Sequence, residues 1–320
     1  AVLATDPAYN PLLPLQALQF LPQFVNYPNS AQDGITNDDN IDYTFKLSYS
    51  LNNTTSVYGG VSTGFKASAW NISRNSLPDA TETAALAAAG TPVGPNTGLG
   101  RRYADPEESE VVELGAKILL PTGYLNIAIF DQKIEGFQSN TFIGTGFVLA
   151  NAGSQSSDGF EFDLVVSPTE SIDLAISGLF MDPIYDSFPN SSAGDLTGTM
   201  PSNISEDTIS STVTWNWSSN NWDGYFRLSH LYASEAKMLE NPAWQSILEA
   251  AGNGIKTQDT LNFSAGLEKE NLSIMFWGKN INDDKYLISA FPAVADPTSS
   301  SFFGYPNAYR SYGLTINYMF

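Results

Sequence analysis

Aromatic rings and cations occur together in one long segment of the chain, residues 66–107. A guanidinium holds an anion through charge-assisted hydrogen bonds, and a neighbouring ring adds a stacking surface. The Arg101-Arg102 pair stands out because the chain has only 14 Lys and Arg residues. These cations can bind an anionic ligand, or they can pair with the acids a few residues downstream, and pairing is the favoured interpretation. The candidate ligand residues of this segment are Trp70, Arg74, Arg101, Arg102 and Tyr103.

A second set of charges lies in segments whose apolar residues recur at every other position. Such alternation puts apolar side chains on one face of a strand and polar ones on the other. These charges therefore share one polar face, which we expect to point inward. On that face they form a wall of ion pairs that seats other parts of the protein, which is the favoured interpretation, or they line a polar path for a ligand. The inward set is Lys46, Glu113, Lys117, Glu161, Asp163, Asp173, Arg227 and Lys279, of which Lys46, Lys117 and Arg227 are ligand candidates.

The residue inventory excludes several kinds of chemistry. The chain has no Cys and one His, so disulfide scaffolds, thiolate metal sites and multi-histidine metal sites are excluded. A net charge of −20 argues against nucleic acid as a partner. We interpret His230 as an interfacial polar residue. Residues 36–42 are interpreted as a solvated acidic loop, because the oxygens of this segment lack the spacing of an EF-hand Ca²⁺ loop. We therefore expect no catalytic set, no bound metal and no cofactor.

The elements that position these residues are strands, because the apolar period is two. The apolar residues from Val112 to Leu120 and from Leu314 to Phe320 show the pattern clearly. Each predicted strand is close to the roughly 9–11 residues that span a bilayer in a β-barrel. The predicted strands are 41–50, 55–65, 108–119, 124–137, 156–167, 172–182, 207–217, 222–231, 257–268, 272–280 and 309–320.

The connections alternate between tight turns and long loops, which is the arrangement of an outer-membrane barrel with periplasmic turns and extracellular loops. Only 15% of the residues are charged, whereas soluble proteins carry about 25%. Aromatic residues near the strand ends match the girdles of such barrels, although they would also suit the core of a β-sandwich. One helix is possible in residues 233–252, interrupted by Pro242. We therefore predict an all-β, antiparallel transmembrane barrel.

The strand count predicts that the chain is part of a larger barrel. Complete single-chain bacterial barrels have an even number of strands, and 11 is half of the 22 found in plugged transporters. We interpret residues 1–40 as an extracellular loop segment and residues 41–320 as the C-terminal portion of the barrel. The N-terminal plug domain is expected to be absent from this sequence.

Six motifs occur along the chain in an order that matches one family. The segment Tyr58–Ala67 (YGGVSTGFKA) matches the end of one strand, and Glu110–Lys117 (EVVELGAK) matches the strand that follows. The Asn151-Ala152-Gly153 triplet precedes GFEFD. The other motifs are Trp277–Tyr286 (WGKNINDDKY), the residues Pro306, Arg310, Tyr312 and Gly313, and the terminal GLTINYMF. Together these motifs resemble the C-terminal barrel of TonB-dependent outer-membrane receptors.

This resemblance implies a receptor in the outer membrane of a Gram-negative bacterium that takes up a metal chelate of the siderophore kind. It implies contacts with the lipid bilayer and lipopolysaccharide, and coupling to the TonB complex through the missing plug. Tyr312, Tyr318 and Phe320 would form the signal for the barrel-assembly machinery. A passive porin-like channel is the alternative for a barrel, and a surface β-sandwich adhesin is the alternative from a different fold.

Overall fold

The computed structural model describes residues 35–70, 103–142, 147–151, 153–189, 191, 193–293 and 301–320. These residues form 17 strands and one helix, α1 (Pro242–Ala250). The strands are β1 (Thr44–Ser50), β2 (Thr55–Lys66), β3 (Ala69–Trp70), β4 (Tyr103–Ala104), β5 (Glu107–Leu120), β6 (Gly123–Glu135), β7 (Gln138–Phe142), β8 (Phe147–Asn151), β9 (Ser154–Thr169), β10 (Ile172–Ser187), β11 (Asp207–Ser219), β12 (Trp222–Lys237), β13 (Ile255–Lys269), β14 (Leu272–Lys279), β15 (Leu287–Pro292), β16 (Phe302–Pro306) and β17 (Ser311–Tyr318).

Eleven strands form one antiparallel sheet in the order β1-β2-β5-β6-β9-β10-β11-β12-β13-β14-β17. They confirm the 11 predicted strands, and the largest differences are the extensions of β10 to Ser187 and of β12 to Lys237. The other sheets in the described residues are two-stranded hairpins: β3–β4, β7–β8 and β15–β16. No sheet large enough to form a sandwich with the first is therefore present in that part of the chain.

One face of the 11-stranded sheet is apolar and open. Leu114 lies on an interior strand with 57% of its surface exposed, and Leu314 and Ile316 on β17 are 62% and 60% exposed. On β5 the apolar positions run from Val112 to Leu120, about 27 Å at about 3.3 Å per residue. This length matches the apolar band of about 25 Å on membrane barrels. The protein therefore does not bury this face itself, as expected of a surface that contacts hydrocarbon.

Tight turns join the strands at one end of the sheet, which we call the turn end. Between β11 and β12 the loop consists of Asn220 and Asn221, with φ of 52° and 61°. A two-residue turn with positive φ at both positions matches the right-handed twist of the flanking strands, and Asn tolerates that conformation. Between β5 and β6, a Cβ on Gly123 would lie 1.9 Å from the carbonyl oxygen of Val165. Glycine at 123 therefore lets the neighbouring strand approach closely.

The opposite end, the loop end, holds two small apolar clusters. Tyr185, Phe188 and Leu196 form one, with Phe137 packed against it. The other consists of Met238, Leu248 and Ala290, and it joins α1 to the β15–β16 hairpin. The connections that carry these two clusters are thus folded and have apolar cores of their own.

The structure corrects the prediction of a helix over residues 233–252. β12 continues to Lys237, and α1 begins at Pro242. The side chain of Asn241 accepts hydrogen bonds from the backbone N–H groups of Ala243 and Trp244. Pro is favoured in the first turn of a helix, where its missing N–H is not needed, so Pro242 starts the helix and does not interrupt it. No helix in the described part of the chain is long and apolar enough to cross a membrane.

Candidate functional site

The strand register places all eight predicted inward charges on one face of the sheet. In antiparallel pairs, directly opposite residues have side chains on the same face. Lys46 lies opposite Gly60, and Gly60 lies opposite Glu113. The same reasoning extends across β9, β10 and β12 to β14. This polar face carries Lys46, Glu113, Lys117, Glu161, Asp163, Asp173, Arg227 and Lys279.

The first part of the polar face gathers two of the candidate cations around Tyr58. The Lys46 Nζ lies 3.9 Å from the centre of the Tyr58 ring and 3.8 Å from Glu113 Oε1. The Lys117 Nζ lies 5.8 Å from the same ring. An ammonium over an aromatic face is attracted to the ring by about 0.5–2 kcal/mol. Lys46 is therefore held by a carboxylate and a ring together, as in the ion-pair wall that the sequence favours.

The next part of the polar face is acidic. Glu161 and Asp163 lie two residues apart on β9 and line a cavity of about 330 Å³. Around them are neutral polar groups and the ring of Tyr58. The polar residues that line the cavity are Tyr58, Asn126, Glu161, Asp163, Ser177, Thr208 and Ser210. This part of the face suits a cationic group supplied by another part of the protein.

Arg227, the third candidate cation on a strand, lies apart from the other two. Its Nε donates a hydrogen bond of 3.1 Å to Thr214 Oγ1, and its guanidinium lies 5.8 Å from the centre of the Tyr225 ring. It lines a separate cavity of about 590 Å³. The three candidate cations on the strands therefore fall into two groups: Lys46 and Lys117 lie near Tyr58, and Arg227 lies near Tyr225.

At the loop end, the structure brings together two of the predicted ligand residues. Trp70 on β3 and Tyr103 on β4 are directly opposite, with ring centres 5.0 Å apart. The Trp70 Nε1 donates to Thr36 Oγ1 over 3.1 Å, which fixes the indole plane. The pair forms an aromatic surface beside the barrel mouth. Arg74, Arg101 and Arg102 lie outside the described residues, so their part in this surface remains a prediction.

Asn151 of the Asn-Ala-Gly motif fastens strand ends at the loop end. Its Nδ2 donates to the carbonyls of Asp105 and Gly136, and its Oδ1 accepts from the Asp105 N–H. Buried Gln138 adds bonds from its Nε2 to the carbonyls of Ala67 and Asp105. The motif therefore connects the extensions of β2, β5 and β6.

Asn280 does the same for the end of β14. It is 3% exposed, and its Nδ2 donates to the carbonyls of Asp284 and Ala308 over 2.8 and 2.9 Å. Its Oδ1 accepts from the Asp284 N–H over 2.8 Å, and its φ is 49°. The Lys-Asn-Ile-Asn-Asp motif thus stabilises a turn and carries no free ligand group at Asn280.

Two ionisable groups of the long connections have shifted pKa values. Burial raises the pKa of Tyr286, a hydrogen bond with Thr260 lowers it in part, and the charge of Asp284 raises it again. Hydrogen bonds from Thr197 lower the pKa of Asp195. Each shift favours the form that the group already has at neutral pH. Both groups therefore act as fixed hydrogen-bonding partners and are poor proton donors or acceptors.

His230 lies on the apolar face, where its Nε2 is 2.6 Å from Asp259 Oδ1. This position agrees with an interfacial polar residue. In residues 36–42, Asp38 Oδ2 accepts from the backbone and hydroxyl of Ser68, so that carboxylate is engaged within the fold. In the part of the chain that the structure describes, no group of three or more His, Asp or Glu side chains is arranged to hold a metal ion.

The three residues of the predicted assembly signal lie at the end of the sheet. Tyr312 and Tyr318 point from β17 onto the apolar face and are 54% and 58% exposed. The ring of Phe320 is 5.1 Å from that of Tyr318, centre to centre. The aromatics thus form an open apolar edge, and recognition by an assembly machinery remains a prediction.

Sequence reasoning left Tyr58 and Lys279 out of the ligand candidates, although it placed Lys279 in the inward set. In the structure, Tyr58 joins Lys46, Lys117 and the acidic cavity, and Lys279 shares a cavity with Arg227. The alternating pattern of the sequence indicates which face of the sheet each residue occupies. The residues that surround it depend on the register between strands. Polar-face position combined with register would have selected them.

Comparison with known families identifies the sheet. The model of the TonB dependent receptor-like β-barrel matches residues 22–281. Receptors of this family lie in the outer membrane of Gram-negative bacteria, and they are transporters rather than enzymes. No curated protein matches the chain in sequence.

Solved structures show the same fold. The ferric yersiniabactin uptake receptor FyuA from Yersinia pestis matches with a TM-score of 0.64 at 18% identity, over 86% of this chain and 36% of that one. The ferric-catecholate import receptor Fiu from E. coli K12 matches with 0.59 at 15% identity, over 87% and 35%. The ferric preacinetobactin receptor BauA from Acinetobacter baumannii matches with 0.57 at 14% identity, over 86% and 36%. The chain therefore spans about a third of the length of these receptors.

Proposed function

The chain belongs to the TonB-dependent receptor β-barrel family, and we propose that it forms part of a transporter that takes up a metal chelate across the outer membrane. The observation that carries the proposal is the two-faced sheet. Eleven antiparallel strands present open apolar side chains on one face and the eight predicted inward charges on the other. Such a wall separates hydrocarbon from a polar interior, and the polar face is then the lumen.

We propose that residues 41–320 are the C-terminal portion of the barrel and that residues 1–40 belong to an extracellular segment. In the described sheet, β1 and β17 each have one strand neighbour, so each has an unpaired edge. Unpaired edges are not tolerated in hydrocarbon. Strands from the rest of the receptor would pair with both edges, and a plug domain would fill the lumen.

In this proposal the loop end captures the chelate and the lumen passes it inward. The Trp70–Tyr103 surface supplies stacking, and Arg74, Arg101 and Arg102 supply positive charge. The apolar face contacts lipid and lipopolysaccharide, and the terminal aromatics direct barrel assembly. The chain itself makes and breaks no bond: energy for release would come from the TonB complex acting on the plug.

The test is uptake of iron-55 chelates by cells under iron limitation. We expect deletion of the full-length receptor gene to abolish uptake of at least one chelate, and plasmid expression to restore it. Uptake should also require TonB. If uptake persists without TonB but needs the receptor, the barrel is a passive channel. If deletion changes the uptake of no chelate in a panel of catecholate, hydroxamate and carboxylate types, the proposal fails.

A further inference from the structure

The second group of strand cations forms a built site on the polar face. Arg227 on β12 and Lys279 on β14 lie on strands that flank β13 and line the same cavity of about 590 Å³. Its volume lies in the range of about 300–1,000 Å³ that is typical of small-molecule sites. The residues that line it include Arg227, Ser229, Asn262, Ser264, Trp277 and Lys279.

Arg227 and Lys279 share one cavity, and in the described residues neither has a carboxylate partner, in contrast to Lys46 on the polar face and Lys66 towards the loop end. Lys46 pairs with Glu113, and Lys66 pairs with Glu107 at 3.1 Å. In the described residues, by contrast, neither Arg227 nor Lys279 lies within 4.0 Å of a carboxylate oxygen. In a chain of net charge −20, two neighbouring cations without acids need a different partner.

The surroundings of the two cations are neutral hydrogen-bonding groups. Arg227 lies between Thr214 and Ser264 in the strand register. The nearest carboxylate in the same row is Asp173, opposite Thr214, and its two oxygens accept from Ser167 and Asn216. Both oxygens of Asp173 are therefore already hydrogen-bonded within the sheet.

Trp277 completes the site. The Lys279 Nζ lies 5.5 Å from the centre of the Trp277 ring, and the ring lines the cavity. Two cations, hydroxyl and amide groups and an aromatic face together match a ligand that combines oxyanions with a flat or aromatic body.

We propose that Arg227 and Lys279 bind the oxyanion groups of the transported chelate, so that the receptor selects a negatively charged complex. This assignment rests on the proposed function and narrows its substrate class to chelates with carboxylate or catecholate oxygens. The acidic cavity around Glu161 and Asp163 lies elsewhere on the same polar face, between β6 and β11, and is left for cationic parts of the receptor. The lumen wall is thus divided by charge.

The experiment measures chelate affinity in the purified full-length receptor. Wild type and the double variant Arg227→Gln/Lys279→Gln are titrated with ferric citrate and a ferric tricatecholate, which are anionic, and with a neutral ferric trihydroxamate. Loss of two charge-assisted contacts should weaken the tighter anionic complex about 10- to 100-fold. Affinity for the neutral complex should change less than about threefold, and added salt should weaken anion binding to wild type more than to the variant.

A matched control removes the same net charge elsewhere. Lys133→Gln/Lys285→Gln takes away two cations that pair with Glu135 and Asp283, outside the cavity. It should leave every affinity unchanged. The conservative exchange Lys279→Arg should retain at least about a third of the anion affinity. This result would show that the ligand interacts with the positive charge and not with one side-chain shape. The heat-modifiable gel mobility of each variant establishes that the barrel is folded.

The following results would overturn the assignment. Equal losses for anionic and neutral complexes would show a structural role, and an unchanged affinity would show no role. A lower melting temperature of the ligand-free double variant, with chelate binding intact, would identify a carboxylate of the plug as the partner. If wild type binds a chelate irrespective of charge, this assignment fails while the proposed function stands. If wild type binds none of the three and cells take up none, both fail.

Discussion

Replacing Asn280 should open the connection that follows β14 without unfolding the sheet. Its side chain makes three hydrogen bonds, to the Asp284 carbonyl, the Ala308 carbonyl and the Asp284 N–H, and it is 3% exposed. Each bond contributes about 1 kcal/mol. Ala at a φ of 49° adds about 1 kcal/mol of backbone strain. Asn280→Ala should therefore destabilise this region by about 3–5 kcal/mol, which is roughly a 150- to 5,000-fold rise in its open population.

Hydrogen exchange of the full-length receptor in detergent, followed by mass spectrometry, measures this population. The informative amides are those of Asp259 and Leu261, which donate to Asp284 and Asn282 and do not touch Asn280's side chain. Asn280→Gly keeps the backbone conformation and should lose about 1 kcal/mol less. The matched control is Asn253→Ala, since Asn253 donates one exposed bond to the carbonyl of Ala251.

The reasoning would be refuted if the amides of Asp259 and Leu261 kept their wild-type exchange rates in Asn280→Ala. The network would then not open as a unit. It would also be refuted if Asn253→Ala accelerated the same amides equally. A faster rate throughout the sheet would mean that Asn280 stabilises the whole barrel and not one connection.

Three further predictions concern the sheet. Leu114→Arg places a charge on the apolar face and should cost about 2–4 kcal/mol in folding into lipid vesicles, whereas Ser264→Arg on the polar face should cost under about 1 kcal/mol; equal costs would contradict the assignment of faces. Gly123→Ala should reduce the folded fraction on unboiled gels, because the Cβ would lie 1.9 Å from a backbone oxygen, whereas Gly59→Ala, with its nearest contact at 3.5 Å, should not. Deleting Phe320 should slow assembly in cells, as measured by membrane-inserted receptor after a pulse of synthesis, and normal assembly would remove the terminal aromatic as a signal.

The strands could be predicted because their pattern is local in the sequence. Most contacts of the candidate site could not be predicted, because they depend on pairing between distant segments. The alternation in Val112–Leu120 fixes a strand and its two faces, because side-chain direction has a period of two wherever the backbone is extended. The chemistry at Tyr58 depends on Lys46 lying 12 residues earlier and Glu113 lying 55 residues later, and only the register brings them together. The misassigned helix has a local cause, since Pro242 was read as a break when it serves as a start.

Two asparagines in the motifs that carry the family resemblance have structural roles. Asn151 and Asn280 lie in two of the clearest motifs, and both are used up in fastening strand ends. The side chains of these two residues stabilise the wall and are not available to a ligand. In our proposal, selectivity comes from side chains on the polar face, whether they lie outside the motifs, as Arg227 does, or inside one, as Lys279 does. The substrate class therefore has to be inferred from cations without a carboxylate partner and from aromatic rings, at positions that the register between strands determines.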